Sequence, residues 1–438
     1  MFETLKSVFR VKEMRRKLLY VVWMILIIRI GSQLPVPGVD SDVFREWFRS
    51  NTGDAFNFFD AFTGGSFERM SIFALNITPY ITSSIIMQLL TIAIPALEEM
   101  HRDGEEGRKK ITAITRYVTI GLALFESIAM AIGFGRGGMI KDMNFLKGVV
   151  VVVTLTAGSA MLMWIGERIT EKGVGNGISI VLTVNIVSRI PSDMALLYEN
   201  FIKGKTIAKG LLAGVIIAAI ILAVVVFVLI LNGAERRIPV QYSKKMVGRK
   251  MMGGQTTNIP LKVNTAGVIP IIFASSIMSF PVVIAQFAGK GNGTGIGSEI
   301  LRGLTSNNWC NPSQLKYSWG LILYIVLCIF FAYFYTSITF NPLEVADNIK
   351  KQGGFIPGIR PGKPTSDYLT KILNYIIVIG VVGLIIVAVI PIFFSGVFGA
   401  NVSFGGTSLI IIVGVILETV KQIESQLLVR NYKGFLNN

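Results

Sequence analysis

Histidine and cysteine are nearly absent from this chain: 438 residues contain one histidine, His101, and two cysteines, Cys310 and Cys328. A metal centre built from His and Cys has almost no ligands to draw on. A Ser–His–Asp hydrolase would rest entirely on His101, which stands in a charged stretch. Charge is scarce as well. Asp, Glu, Lys and Arg make up 16% of the residues, against about 25% in soluble domains. Hydrophobic residues reach 52%, and the mean hydropathy is +0.61. These figures exclude disorder, collagen and disulfide scaffolds and point to a polytopic membrane protein. Nucleotide motifs fail on inspection. Gly204-Lys205-Thr206 mimics the end of a P-loop, but the required first glycine position holds Glu199. Gly173–Gly177 has GxGxG spacing with no Rossmann strand before it, and Gly289–Gly297 alternates glycine as a flexible linker does. Energy for any work would come from a partner or an ion gradient.

What the chain does have is long apolar runs. A spanning helix needs about 20 mostly apolar residues. Charge-free runs cover 148–166, 211–231, 263–287 (with Pro270 and Pro281), 317–340 and 372–394. The run 70–97 is longer than one span needs. Segments 117–135 and 405–427 qualify despite the acids Glu126 and Glu418. Segment 18–36 is apolar apart from Arg29, and 174–190 is short, closed by Arg189 and Pro191. Ten transmembrane helices are expected. The basic start MFETLKSVFRVKEMRRK is followed by a run of span length without an A-x-A pattern, so the first helix is expected to be retained rather than cleaved.

The net charge of +16 would suggest nucleic acid in a soluble protein. Here it reads as topology. With the N-terminus in the cytoplasm, 28 of the 42 Lys and Arg fall on cytoplasmic segments, so the positive-inside rule predicts both termini in the cytoplasm. Five helices on each side of the connection near 191–210 give two halves of opposite orientation, 1–200 and 201–438, a plan found in many transport proteins.

Several features could carry function. Segment 56–69, FNFFDAFTGGSFER, is too short and polar to span. It reads either as an interfacial helix on the outer surface or as a re-entrant helix blocking a pore, whose irregular backbone would need shielding. Helix 2 is broken up by Asn76, Thr78, Pro79, Thr82, Ser83 and Ser84, residues that bond across helix contacts. Glu126 sits mid-helix, where an acid is a proton relay, half of a contact between moving helices, or a protonated packing residue. Asn264 and Thr265 are its plausible polar partners. The long loops 232–266 and 341–371 are basic beyond what topology needs and read as a docking surface. The cysteines stand in an outer loop and inside helix 8, an arrangement unsuited to a structural disulfide. A proton-coupled secondary transporter of a small solute, with Glu126 as coupler, is one function these features would serve.

Five blocks, RIGSQLPVPGVD (29–40), NITPYITSSIIMQLL (76–90), GERITEKGVGNGISI (166–180), PLKVNTAGVIPIIFASSI (260–277) and KKQGGFIPGIRPGKPT (350–365), resemble the SecY family, the central subunit of the bacterial protein-translocation channel. The resemblance runs from about Arg15 to Gly434. It implies an all-α polytopic membrane protein, two inverted five-helix halves forming a clamshell around an hourglass pore in the plasma membrane. It implies a protein-conducting channel for secretory polypeptides, with neither cofactor nor catalytic residue. By position, Ile77, Ile81, Leu182, Ile186, Ile272 and Ile411 match the apolar pore ring. Residues 58–69 match the plug, with Phe59, Asp60, Phe62, Gly64, Gly65 and Phe67. Thr82, Glu126 and Asn264 match the polar cluster of a lateral gate between helices 2–3 and 7–8, through which signal peptides and membrane spans reach lipid. Arg249, Lys250 and Arg360 match the docking site for the ribosome and the SecA ATPase. The implied partners are SecE and SecG.

Overall fold

The computed structural model describes residues 11–51, 60, 63–136, 138, 140, 144–203, 207–242, 245–247, 250–252, 256–287, 295–310, 312, 314–398 and 406–436. In chain order the elements are α1 (Lys12–Gly31), α2 (Ser41–Asn51), α3 (Thr78–Ala93), α4 (Pro95–Arg102), α5 (Glu105–Arg136), α6 (Phe145–Lys172), α7 (Gly177–Phe201) and α8 (Ile207–Gly233). There follow β1 (Glu235–Tyr242), β2 (Lys245–Val247), β3 (Lys250–Met252), β4 (Thr256–Lys262), α9 (Ile269–Phe287), α10 (Ile296–Leu304), α11 (Trp319–Thr339), α12 (Pro342–Lys351), β5 (Gly354–Phe355), α13 (Lys363–Phe398) and α14 (Gly406–Leu436). Two compact units divide the chain. One comprises Met1–Leu196, Phe280–Thr305 and Val415–Asn438, the other Leu197–Ser279 and Ser306–Gly414.

All ten expected spans coincide with helices. Among the described residues six helices are long and apolar enough to cross a membrane, and a seventh span is counted if α3 and α4, bent by 106° at Ile94, are one. The other three fall short for visible reasons. Within α1 lie Arg15, Arg16, Lys17 and Arg29, and within α14 lie Glu418, Lys421 and Glu424. The apolar part of α9 is short, Ile269–Val282.

Three boundaries differ from the sequence reading. Helix 2, expected over 70–97, starts only at Thr78, because Asn76 adopts φ +53° and Pro79 occupies the first turn, where its missing N–H costs nothing. The expected short span 174–190 does not stop at Arg189 or Pro191; α7 runs through both to Phe201. Part of loop 232–266 is a sheet. Strand β1 pairs antiparallel with β4, Ile238 opposite Ile259, and its end pairs with β5, Gln241 opposite Phe355.

In the first unit α6 is the central helix. Its buried residues Val151, Leu155, Gly158, Ser159, Leu162, Ile165 and Ile169 recur at three- and four-residue steps, forming one continuous stripe. Ile28 on α1, Phe73 and Ile77 pack against Leu162, Ile165 and Ile169. In the second unit β1 alternates buried Ile238 and Val240 with exposed Arg237, Pro239 and Gln241, the period of a half-buried strand. That face joins Ile349 on α12, Ile356, and Leu369, Ile372 and Ile376 on α13 in one apolar cluster. Helix α8 is different: it carries no acid or base from Leu211 to Gly233 and keeps Leu211, Leu212, Val215, Leu222 and Ile230 exposed. An all-apolar exposed helix has a membrane's hydrocarbon as its natural solvent.

The stripe on α6 admits the chain only because position 158 lacks a side chain. A Cβ on Gly158 would lie 2.0 Å from the carbonyl oxygen of Ile72, a backbone atom with no freedom to move aside. Gly158→Ala is expected to destabilise the unit by about 1–3 kcal/mol, read as a lower melting temperature of the purified protein in detergent. Gly121→Ala, where a Cβ meets nothing within 4 Å, is the control and is expected to melt like the parent.

Candidate plug segment, pore residues and docking surface

The segment before α3 carries the densest polar network of the first unit. From Gly64 to Ile77 the chain makes successive turns rather than a helix. Of the segment 56–69, Asp60 and Thr63 are helical and the chain turns from Gly64 onward. Phe56, Phe58, Phe59 and Phe62 lie outside the described residues. Asp60, Thr63, Ser66, Phe67 and Met70 are all buried.

Each end of the segment is tied. At the first end, Asp60 organises its own loop. One carboxylate oxygen, Oδ1, accepts from the Glu68 N–H at 2.9 Å and from Thr63 Oγ1 at 3.3 Å. The other, Oδ2, ion pairs with Arg189 on α7. Gly64 sits at φ +66° with its Cα face against α7, where a Cβ would meet the Asn185 carbonyl oxygen at 2.5 Å. Glycine is the residue that satisfies both demands. Gly65, at φ +81°, faces open space. In the middle, Phe67 packs edge-on against Phe44 of α2 and Phe134 of α5, with ring centroids 5.9 and 6.4 Å away. Such burial of a phenylalanine is worth about 1.5–3 kcal/mol. The turn from α1 runs alongside, with Val36 N–H donating to Met70 O and Ile72 N–H to Leu34 O, both at 2.9 Å. At the far end, Asn76 accepts from Asn185 Nδ2 through its Oδ1 at 3.0 Å, and its carbonyl accepts from Ser159 Oγ at 3.1 Å. Asn tolerates this left-handed backbone better than most residues.

The Asn76–Asn185 bond ties the turn before α3 to α7. Of the pore candidates in this unit, Ile77 precedes α3, Ile81 lies on it, and Leu182 and Ile186 lie on α7. Ile77, Leu182 and Ile186 are buried and Ile81 partly so. Ile272 on α9 is half-buried and Ile411 on α14 buried, both in the second unit. Of the gate candidates, Thr82 on α3 and Glu126 on α5 are half-buried in the first unit. Asn264 belongs to the second, where its Nδ2 donates to Asn232 Oδ1 at 2.8 Å. Thr265 donates to the Lys262 carbonyl.

The docking candidates divide sharply. Arg249 lies outside the described residues, and Lys250 opens strand β3. Arg360 is exposed at the tip of a tightly built turn between Gly358 (φ +82°) and Gly362 (φ +102°). Below it Ile356 and Ile359 enter the apolar cluster under the sheet, and its carbonyl accepts from Thr365 Oγ1 at 2.8 Å. Asn341 caps α12 by accepting from the Leu343 and Glu344 N–H groups. The same small body exposes Arg236, Arg237, Lys350, Lys351 and Lys363. Loop length alone suggested docking; the packing beneath the turn is the added finding. Both cysteines are free.

Sequence reasoning missed Asp60's partner Arg189, the amide pair Asn76–Asn185, and the role of α2 through Phe44. A usable signal existed for the first two: Asn185 and Arg189 are polar positions inside an expected span, and polar groups there seek partners.

Comparison with known proteins follows the same lines. The SecY family model matches residues 71–420. Protein translocase subunit SecY of Streptomyces galbus is 44% identical over 442 residues, covering 98% of either chain. Among solved structures, a protein-conducting channel superimposes with TM-score 0.64 at 19% identity over 94% of this chain and 92% of that one. A SecY channel whose plug domain is described as stabilising the closed state and maintaining a membrane seal superimposes with TM-score 0.61, again at 19% identity over 94% and 92%. These likenesses extend over almost the whole length and include the fold, and the chain belongs to the SecY family.

Proposed function

We propose that this chain is the channel-forming subunit of a protein translocase, passing unfolded secretory polypeptides across the bacterial plasma membrane and releasing membrane spans sideways into lipid. The observation that carries this reading is the largely buried, irregular stretch from Gly64 to Ile77. Backbone of this kind survives at membrane depth only where protein or a water-filled path satisfies it. Here Ser159 on α6, Ser188 on α7 and the turn at Leu34 and Val36 do so, and the stretch ends at the first pore-ring candidate, Ile77. It is read as the plug, in line with the plug domain of the structural neighbour. None of the relatives named above is a solute transporter, and Glu126 is read as a gate residue rather than a proton coupler.

The parts act through ordinary physical chemistry. Ile77, Ile81, Leu182, Ile186, Ile272 and Ile411 are the proposed ring: a narrow apolar constriction dewets and resists ions, yet accepts side chains of any type. Thr82, Glu126 and Asn264 are the proposed gate cluster. Polar contacts between membrane helices contribute only about 0.6–2 kcal/mol each, which suits a seam that must open. The halves 1–200 and 201–438 are the proposed moving parts, with both termini cytoplasmic. The loops 232–266 and 341–371, with Arg249, Lys250 and above all Arg360, are the proposed dock for the ribosome and SecA. An exposed guanidinium at the tip of a turn meets carboxylate or phosphate with two parallel hydrogen bonds. SecE and SecG are the proposed membrane partners, and no cofactor is assigned.

Three outcomes test these roles. With Cys310 and Cys328 replaced by Ser and one cysteine at Ile81 or Ile186, a secretory protein stalled in transit and carrying its own cysteine is expected to form a disulfide dependent on ATP and stall position. Assembled, ATP-hydrolysing complex that never yields the adduct would overturn the channel reading. Deleting 60–67 is expected to leave an assembled complex that conducts ions at rest; single-channel records matching the parent would remove the plug role. Arg360→Glu is expected to cut motor- or ribosome-driven transport at least about tenfold, the scale of losing a charge-assisted contact, with unchanged membrane insertion. Transport at the parental rate would remove Arg360 from the dock.

A further inference from the structure

Arg189 faces two buried carboxylates. Asp60 belongs to the plug candidate and is fully buried; Asp193 is one turn further along α7 and 1% exposed. Arg189 ion pairs with Asp60, and its Nε lies 3.7 Å from Asp193 Oδ1. The cation and one acid are therefore fixed on α7, while the other acid sits on the segment.

We propose that Arg189 is the positioning residue that holds the plug segment closed, and that Asp193 is its remaining partner when the segment leaves. The inference rests on the reading of 58–69 as the plug. Breaking a buried ion pair is costly chiefly because it strands a charge. When Asp60 departs with the segment, Arg189 keeps Asp193, the partner it already has on its own helix, and is not stranded. The closed state has Asp60 as well as Asp193 beside the cation, while the displaced state depends on Asp193 alone. The two acids thus set the balance from opposite sides, as differential binding of any two-state element requires. The other ties along the segment include Phe67 packing, the ion pair of Glu68 with Arg45 on α2 at 3.9 Å, the bond from Arg69 to Gln33, and uncharged hydrogen bonds such as Ser188 Oγ to Gly64 O at 3.4 Å. Glu68 and Arg69 are both carried on the segment, whereas Arg189 is a cation on α7 flanked by an acid of the segment and an acid of its own helix.

The test uses the assembled complex in membranes, with Cys310→Ser, Cys328→Ser and one reporter, Ser66→Cys, at a position only 2% exposed. The readout is its rate of labelling by a membrane-permeant maleimide. Asp60→Asn keeps the Oδ1 acceptor for Glu68 and Thr63 and removes only the charge. It is expected to raise the labelling rate about tenfold, since a buried pair is lost, and Asp60→Glu is expected to stay near the parent. Asp193→Asn is expected to lower the rate several-fold, because the displaced state loses its counter-ion. Parental labelling in Asp60→Asn, or unchanged or faster labelling in Asp193→Asn, would overturn the proposal. If Asp60→Asn fails to assemble, the direction of the Asp193→Asn change decides alone. Resting ion conductance is recorded in parallel: faster labelling of Asp60→Asn without a rise in conductance keeps the latch and removes the plug reading.

Discussion

Unpaired peptide groups are the constraint on which the first unit depends. Within a bilayer, helices satisfy their own backbone, and any non-helical stretch must find partners in the surrounding protein. From Gly64 to Ile77 this chain abandons the helix. Ser159, Ser188, Thr63 and the carboxylate of Asp60 supply missing partners. Gly158 belongs to the same account, since its missing Cβ leaves room for the carbonyl of Ile72.

On the proposed plug reading the segment has to be both buried and removable. Apolar burial is non-directional and resists displacement in proportion to area. Polar ties are short-ranged and can be exchanged for others. In the segment the two kinds are separated in space. The aromatic trio of Phe44, Phe67 and Phe134 stands in the middle, while the polar ties of Asp60 and Asn76 stand on either side of it. Asn76 is bonded to both α6 and α7, and the regular helix α3 begins two residues later.

The sequence made the helices legible because hydrophobic run length is a strong signal and each of the ten spans leaves one. It placed their ends less well. Pro191 reads as a stop, yet α7 continues through it, since neighbouring groups in a membrane helix take up a freed carbonyl. Asn76 reads as one more polar residue in helix 2, yet its left-handed backbone delays the helix to Thr78. Nothing in residue type announces a φ of +53°; the bonds to Ser159 and Asn185 hold it, and these are 83 and 109 positions away. The sheet was hidden for a related reason. Arg237, Ile238, Pro239, Val240 and Gln241 alternate properly, but a proline inside a strand demotes the signal, and the partners that make the strand stable come from β4 and β5.

The site candidates divide along the same line. The turn that carries Arg360 was legible because it needs no distant partner: glycines at 358 and 362 set it locally, and the side chain stays exposed. The ring candidates were not legible from pattern, because an isoleucine lining a pore and an isoleucine packing a core obey the same periodicity. Apolar side chains impose no register of their own, so which of them meet depends on polar bonds nearby. In the first unit the Asn76–Asn185 bond ties the turn before α3 to α7, and the candidates Ile77, Leu182 and Ile186 on its two sides are buried. A single buried hydrogen bond between amides 109 positions apart thus fixes how the two stretches meet.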